Sequence, residues 1–255
     1  MSARLYPPLR PQLISEVLDT AFKIFSAALL KALPYGMLIT LAGELVNIYN
    51  LVSGRLVRRL FPQDRTGWVL YAVSLIVTLT LWAALILRQR AIAQGAPVSM
   101  QAELSAAVRT LPALALVSIL NVIAVGVGTI LFVIPGVYLL IALWMAVPLL
   151  VLENVGPIDA IKASWRLMRG NWWRTFAIFL VTIAIYFVFV VLGIVFAAMV
   201  VQLERGADVA VVTATSTVFI ISLGAFSVPF IAAVMLAVLG DLTARAAAAR
   251  GPRGE

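Results

Sequence analysis

The sequence of 255 residues contains no cysteine and no histidine. Their absence excludes disulfides, thiol redox chemistry and the Ser-His-Asp and Cys-His forms of catalysis. It also removes the usual protein ligands of zinc, haem and iron–sulfur clusters. A Walker lysine motif, a glycine-rich dinucleotide loop and paired carboxylates of the glycosidase type are absent as well. We therefore expect a protein that is not an enzyme and that needs no cofactor or metal.

Charge is also scarce in this chain. Charged residues make up 12% of the sequence, whereas a soluble domain carries about a quarter. Hydrophobic residues make up 63%, and the mean hydropathy is +1.08. These values predict an integral membrane protein. The net charge of +8 would suggest a nucleic-acid partner in a soluble chain. Because the basic residues lie beside apolar runs, we expect anionic membrane lipids as partners and no nucleic acid.

Long apolar runs predict six transmembrane helices. The chain carries no charge between residues 110 and 152, and at about 1.5 Å per residue this run is roughly twice the apolar thickness of a bilayer. Two spans must therefore share it, with a hairpin turn predicted at Ile134-Pro135-Gly136. The six predicted spans cover residues 32–52, 67–87, 112–133, 136–152, 176–201 and 211–239.

A short amphipathic segment precedes each pair of predicted spans. The three segments cover residues 12–30, 98–110 and 157–171. We interpret each as a helix that lies in the membrane interface. The chain is then a single all-α membrane domain over residues 1–255, with a pseudo-threefold repeat of one interfacial helix and two spans. The repeat is one of hydropathy more than of residue identity. Residues 1–11, before the first segment, are expected to be loose.

The segment from Glu153 to Arg174 shows the amphipathic pattern most clearly. Its apolar residues recur at helical spacing: Ile158, Ile161, Trp165, Met168 and Trp172. A second set with the same spacing is basic: Lys162, Arg166 and Arg169. The basic set, with Trp165 beside it, is a candidate site for lipid headgroups or phosphate groups. The alternative interpretation is the ordinary contact that any cytoplasmic surface helix makes with anionic lipid.

Glu44 is an ionisable residue inside the first predicted span. Such a residue is costly in a membrane and often functional. Together with Asn47 and Asn121 it forms a candidate intramembrane polar site, which supports an alternative hypothesis that the protein is a small transporter or channel. The other interpretation is a carboxyl group that is hydrogen-bonded within the bundle and has a structural role only.

The distribution of positive charge predicts the orientation in the membrane. If both termini and the three amphipathic segments lie on one side, that side holds fourteen Lys and Arg residues and the other side holds five. Because cytoplasmic loops are rich in these residues, we expect both termini in the cytoplasm. Four of the five residues on the other side lie in the 55–65 loop, which is a signal in the opposite direction. No signal peptide is expected, since charges and prolines are scattered through the first thirty residues.

Several short motifs resemble a known family. They are the run Ile134-Pro135-Gly136-Val137-Tyr138-Leu139, then Glu153, Gly156-Pro157 and Ala160, and then Ser164-Trp165-Arg166-Leu167 with Arg169-Gly170-Asn171-Trp172. The combination resembles the membrane domain attached to some bacterial glycerophosphoryl diester phosphodiesterases, and the stand-alone six-span proteins related to it. The opening Leu18-Asp19-Thr20-Ala21-Phe22 is also similar.

The resemblance implies a multi-span protein of a bacterial inner membrane and does not imply phosphodiesterase activity. In the fused members the catalytic work belongs to a separate soluble barrel, whose chemistry uses histidine and metal-binding carboxylates. No catalytic residue is therefore carried over to this chain. The preferred hypothesis is a non-enzymatic membrane protein that binds lipid or a protein partner in membrane or envelope homeostasis. The sequence leaves the partner and the oligomeric state open.

Overall fold

The computed structural model describes residues 5–55, 62–97, 99–203 and 209–250. Eight helices account for the regular structure in this part of the chain. They are α1 (Ile14–Val52), α2 (Arg65–Ala93), α3 (Met100–Leu131), α4 (Val133–Leu143), α5 (Ala146–Glu153), α6 (Pro157–Met168), α7 (Trp172–Leu203) and α8 (Val209–Ala249).

Six helical segments within the described ranges are long and apolar enough to cross a membrane. Five of them come from α1, α2, α3, α7 and α8, and the fourth along the chain is α4 and α5 together, Val133–Glu153. The six segments correspond in order to the six predicted spans. The all-helical, multi-pass architecture predicted from the apolar runs is therefore confirmed.

Two predicted boundaries lie inside continuous helices. The amphipathic segment 12–30 and the first span are both parts of α1, which continues past Pro34 to Val52. In the same way, α3 continues past Pro112 and joins the segment 98–110 to the third span, except for residue 98, which lies outside the described residues. A proline removes one backbone donor, but a membrane helix tolerates it where neighbouring groups satisfy the freed carbonyl. Of the three amphipathic segments, only 157–171 contains a helix of its own.

The length of α1 shows where its first part lies. Its 39 residues span about 58 Å at about 1.5 Å per residue, nearly twice the apolar thickness of a bilayer. About half of α1 therefore extends beyond the apolar core of the membrane. The interfacial position predicted for residues 12–30 is compatible with this length and stays a prediction, as does the threefold repeat.

The turn between α3 and α4 lies two residues before the predicted hairpin. Phe132 adopts an extended conformation between the two helices, and Pro135 falls in the first turn of α4. A missing backbone donor costs nothing there, since the first N–H groups of a helix have no partner in the helix. Gly136 lies against α3, where a Cβ atom would come within 2.8 Å of the Cα atom of Thr129. The close packing of α3 on α4 therefore requires glycine at this position.

The C-terminal half of α8 lies at the centre of the bundle. Every residue from 232 to 242 is buried, and α1 packs along α8 more extensively than any other pair of helices. Leu5 and Tyr6 are packed against the bundle, contrary to the expectation of a loose N-terminus, whereas Pro7, Leu9 and Arg10 are exposed. The Leu5 N–H donates to the Ala93 carbonyl oxygen at 2.8 Å, and Tyr6 is buried.

The two ends of the bundle differ in composition and packing. We call one the packed end; it comprises residues 5–13, the C-terminal turns of α2 and α5, all of α6, the first turns of α7 and the C-terminal half of α8. We call the other the open end; it comprises the described residues between α1 and α2, the α3–α4 turn, the second half of α7 and the first turns of α8. Large apolar side chains are exposed along the second half of α7.

Candidate functional site

Helix α6 is bounded on both sides by residues that favour turns. Asn154 has φ 52°, a left-handed conformation that ends α5, and Pro157 occupies the first turn of α6. After α6, Gly170 has φ 86°, which allows the chain to reverse into α7. The Asn171 N–H then donates to the Met168 carbonyl oxygen at 2.9 Å. These local signals make α6 a helix of 12 residues that is separate from both neighbours.

One face of α6 is fixed against α4. Ala160, Ser164 and Met168 are buried on this face. The Ser164 hydroxyl donates to the Ala142 carbonyl oxygen at 2.7 Å, close to the end of α4. At the start of α7, the Trp172 indole N–H donates to the Tyr138 carbonyl oxygen at 3.1 Å. The motif residues Ser164 and Trp172 therefore hold α6 and α7 in place on α4.

The face predicted to be apolar is buried in part: Met168 is buried, and Ile161 and Trp172 are half-buried. Ile158 and Trp165 are exposed, and the Trp165 ring stands edge-on to Tyr138 with ring centroids 5.6 Å apart. Ala160 and Ser164, which lie outside the predicted apolar set, are buried as well. Trp165 thus remains available at the surface, next to the basic residues.

Lys162 and Arg166 lie one turn apart on the exposed side of α6, and Arg169, which directly follows the helix, is exposed as well. None of the three side chains forms a hydrogen bond or an ion pair with another residue in the described ranges. Trp165 lies on the same side, 40% exposed. We call these four residues the basic face. All four predicted residues of this site are exposed, three of them on α6 and Arg169 directly after it.

Arg166 also borders a cavity of about 420 Å³ between α5, α6 and α8. We call this cavity the end pocket. Its polar lining consists of Glu153, Arg166, Thr243 and Arg250. The sequence pattern pointed to Arg166 alone, because Glu153 stands at a span end, where a charge is unremarkable. Thr243 of α8 and Arg250, which directly follows α8, carry no signal in the sequence that would associate them with α6.

Other basic residues at the packed end are paired inside the protein. The Asp241 carboxylate, 2% exposed, accepts hydrogen bonds from Arg174 Nε at 3.1 Å and from Arg245 Nε at 2.9 Å. It also accepts one from the Gln12 N–H at 2.7 Å. Both guanidinium groups donate in addition to the Gln12 carbonyl oxygen. This cluster, the Asp241 clamp, ties residues 5–13 to α7 and α8.

A second paired cluster joins the first three helices. Arg88 Nε donates to Glu103 Oε2 at 2.8 Å, and the Tyr35 hydroxyl donates to the same oxygen at 2.9 Å. The Arg88 guanidinium also lies over the Tyr35 ring, 4.8 Å from its centroid. The positive charge of Arg88 is therefore neutralised within the bundle, as in the Asp241 clamp, and does not contribute to an external anion site.

The candidate intramembrane site is not assembled as one unit. Glu44 is 7% exposed and accepts a hydrogen bond from Asn47 Nδ2 at 3.0 Å, one turn further along α1. Asn121 lies on α3, and its buried Oδ1 atom has no hydrogen-bond partner among the residues that the structure describes. Glu44 and Asn47 are thus joined to each other, while Asn121 is separate from them.

Comparison with known proteins identifies the family. Residues 110–246 match the model of the membrane domain of glycerophosphoryl diester phosphodiesterase, which is more than half of the chain. The match begins within α3 and ends within α8, so it includes the basic face. No curated protein and no solved structure matches the chain. The motifs between Ile134 and Trp172 had indicated the same relationship. This chain therefore belongs to the family of glycerophosphoryl diester phosphodiesterase membrane domains.

Proposed function

We propose that the protein is a non-enzymatic membrane module that binds anionic lipid headgroups on the basic face of α6. The observation that carries this proposal is the lack of internal partners for Lys162, Arg166 and Arg169 in the described part of the chain. They share one exposed surface with Trp165, and α6 is held rigidly by its buried side.

The chemistry of this surface suits the headgroup region of a membrane. Each Lys or Arg near an anionic membrane contributes about 1 kcal/mol of attraction. Arginine also binds a phosphate group through two parallel hydrogen bonds. Tryptophan prefers the depth of the headgroups, where its ring is buried and its N–H reaches polar groups. Trp165 therefore supports a position of α6 at this depth, with its basic side chains among phosphates.

The contrast with the Asp241 clamp supports the assignment. Arg174 and Arg245 both pair with the Asp241 carboxylate inside the protein, so their charges are already neutralised there. The basic face has no such partner in the described ranges, and an external anion would supply one. We extend the proposal to an inner-membrane location with the packed end in the cytoplasm, in agreement with the excess of Lys and Arg on that side.

Native mass spectrometry of the purified full-length chain tests the proposal. The protein is prepared from nanodiscs that contain phosphatidylglycerol, and the retained lipid is counted. The test variant combines Lys162→Gln, Arg166→Gln and Arg169→Gln. A matched control combines Lys23→Gln, Lys31→Gln and Arg109→Gln, which removes the same charge from exposed residues elsewhere.

We expect the wild type and the control to retain anionic lipid to a similar extent. Loss of three attractive charges should reduce retention in the test variant by about tenfold or more, since each contributes about 1 kcal/mol. Equal retention in the two variants would show that the effect is one of net charge, and the proposal for the basic face would be wrong. Thermal unfolding of both variants in detergent verifies that they are folded.

A further inference from the structure

The end pocket contains opposite charges that do not pair with each other. Glu153 and Arg166 have no ion-pair partner in the described ranges, although both line the same cavity of about 420 Å³. Arg250 donates from Nε to the Ala246 carbonyl oxygen at 3.1 Å, and it forms no ion pair with a carboxylate of residues 5–55, 62–97, 99–203 or 209–249. A cavity of this volume is in the range of small-ligand sites. Two guanidinium groups and one carboxylate therefore border a space large enough for a small ligand.

The three charged residues that line the pocket lie on different elements of the fold. Glu153 is the last residue of α5, Arg166 lies in α6, and Arg250 directly follows α8. Helix α6 is fixed to α4 by the buried hydrogen bond from Ser164 to Ala142, so α6 cannot shift freely toward α8. The arrangement differs from the Asp241 clamp, in which carboxylate and guanidinium groups lie in direct contact.

Thr243 has a defined hydrogen-bonding role in this pocket. Its hydroxyl donates to the Gly240 carbonyl oxygen at 2.9 Å. A hydroxyl group has one donor, so the Thr243 oxygen is left to the ligand as an acceptor. The pocket thus offers donors from Arg166 and Arg250, and acceptors from Glu153 and Thr243. This set matches a ligand that has an anionic group and a group rich in N–H donors.

We propose that the end pocket binds a phosphate ester that carries an ammonium group, which is the chemistry of a phosphoethanolamine headgroup. The phosphate lies between Arg166 and Arg250, and the ammonium group donates to the Glu153 carboxylate and the Thr243 oxygen. Leu149 and Ala163, which also line the pocket, contact the short carbon linker between the two groups. This assignment rests on the proposed function, because Arg166 belongs to the basic face as well.

Glu153 gives the pocket its selectivity. A headgroup with a phosphate and no cation would place its negative charge near this carboxylate without compensation. Discrimination between ligands often depends on such a repulsive element as much as on attractive contacts. The carboxylate therefore disfavours a purely anionic headgroup and favours a zwitterionic one. Lys162 and Arg169, outside the pocket, have no part in this selection.

The test uses full-length protein in nanodiscs that contain equal amounts of phosphatidylethanolamine and phosphatidylglycerol. Native mass spectrometry gives the ratio of the two lipids retained by the wild type, Glu153→Gln and Arg250→Gln. Asp159→Asn is the control, since Asp159 is an exposed acid in the first turn of α6 and does not line the pocket. A second arm adds soluble phosphoethanolamine and follows its binding by phosphorus NMR.

We expect Glu153→Gln to lower the ratio of phosphatidylethanolamine to phosphatidylglycerol by about threefold to fivefold, the effect of one exposed ion pair. Arg250→Gln should reduce retention of both lipids, and Asp159→Asn should leave the ratio unchanged. Glu153-dependent binding of the soluble ester alone would assign a free metabolite as the ligand. If Glu153→Gln alters neither the lipid ratio nor the binding of the soluble ester, the proposal is wrong.

The two proposals fail in different ways. Loss of lipid in the triple variant of the basic face, together with no effect of Glu153→Gln, would retain the basic face and refute the end pocket. Arg166 lines the pocket as well, so a Lys162→Gln, Arg169→Gln double variant separates the two sites. Equal lipid retention in this double variant and the wild type, with a clear effect of Glu153→Gln, would refute the basic face and leave the pocket as the site. Arg250→Gln distinguishes the proposals further, because Arg250 does not belong to the basic face.

Discussion

The packed end and the open end of the bundle use the same kinds of residue for different purposes. At the packed end, apolar side chains such as Leu236 are enclosed by other helices. At the open end, apolar side chains of α7 such as Leu192 are exposed, which in a membrane places them against lipid. Lipid tails are as apolar as leucine, so an exposed leucine there adds little stability. Hydropathy is high at both ends, but the apolar side chains of the second half of α7 are mostly exposed, whereas those of the C-terminal half of α8 belong to the core.

The burial of charged residues also differs between the two ends. Asp241 at the packed end is 2% exposed and holds two arginines. Asp64 at the open end caps α2 by accepting the Gly67 N–H at 2.7 Å, and it pairs with Arg55 on the surface. The hydrogen bond from Gly67, followed by that from Arg55, lowers the pKa of Asp64 below its usual range. Both carboxylates join elements, since Asp64 also accepts a hydrogen bond from Tyr49 of α1 at 3.0 Å. The difference lies in burial, because the Asp241 carboxylate is enclosed by the bundle and the Asp64–Arg55 pair is exposed.

The largest expected effect comes from Asp241→Asn. Removal of this carboxylate charge leaves Arg174 and Arg245 partly buried without a counter-ion and loosens residues 5–13. Breaking a buried ion pair costs about 3–5 kcal/mol, and the partial exposure of the arginines favours the lower part of this range. The loss is measured as the free energy of unfolding in mixed micelles with increasing denaturing detergent.

Asp64→Asn is the matched control for this substitution. Asparagine caps a helix as well as aspartate does, and the lost ion pair is exposed, so a change below about 1 kcal/mol is expected. Equal losses for the two substitutions would contradict the distinction between the ends. An Asp241→Asn protein that keeps wild-type stability would show that the clamp is not a structural joint.

The next largest loss of stability is expected when a buried leucine is replaced by alanine, and an exposed leucine serves as the comparison. Leu236→Ala removes a side chain that is 1% exposed at the centre of the packed end and should cost about 2–4 kcal/mol through lost packing. Leu192→Ala removes one that is 58% exposed on α7 and should cost less than about 1 kcal/mol. The same unfolding titration compares them. Similar losses at both positions would indicate that α7 is covered by a further surface, such as a second copy of the chain.

The apolar runs predict the number of spans well, because membrane insertion imposes length and hydropathy on each crossing. They do not predict where a helix continues beyond the membrane. Lys31 and Pro34 mark a boundary in composition, yet α1 runs through both without a break. A helix ends where the backbone must turn, as at Asn154 and Gly170, and a change in polarity alone does not produce that turn.

The candidate site was predictable only where it lies within one helix. Lys162, Arg166 and Arg169 follow helical periodicity, so the sequence predicts their common face. The end pocket depends on the meeting of α5, α6 and α8, and periodicity carries no information on Thr243 or Arg250 as neighbours of Arg166. In the same way, the Asp241 clamp was missed, because its partner Gln12 lies near the opposite end of the chain.

The smallest expected effect tests whether the open end contains a tight contact of its own. A Cβ atom on Gly136 would lie 2.1 Å from the Thr129 hydroxyl oxygen and 2.8 Å from the Thr129 Cα atom, whereas one on Gly126 would have no neighbour within 4 Å. Gly136→Ala must therefore push α4 away from α3, at a cost of about 1–3 kcal/mol. Gly126→Ala, in the interior of the partner helix, should be neutral or stabilise by up to about 1 kcal/mol.

Thermal unfolding followed by tryptophan fluorescence in detergent compares the two alanine variants. A lower unfolding temperature for Gly136→Ala alone would establish the α3–α4 contact as a tight contact at the open end. Its position explains why close packing matters there. The hairpin carries α4, which in turn holds Ser164 of α6 and Trp172 of α7 through backbone carbonyl groups. Equal behaviour of the two variants would mean that α3 and α4 separate without strain, and the support of the basic face would then have to come from α5 and α8.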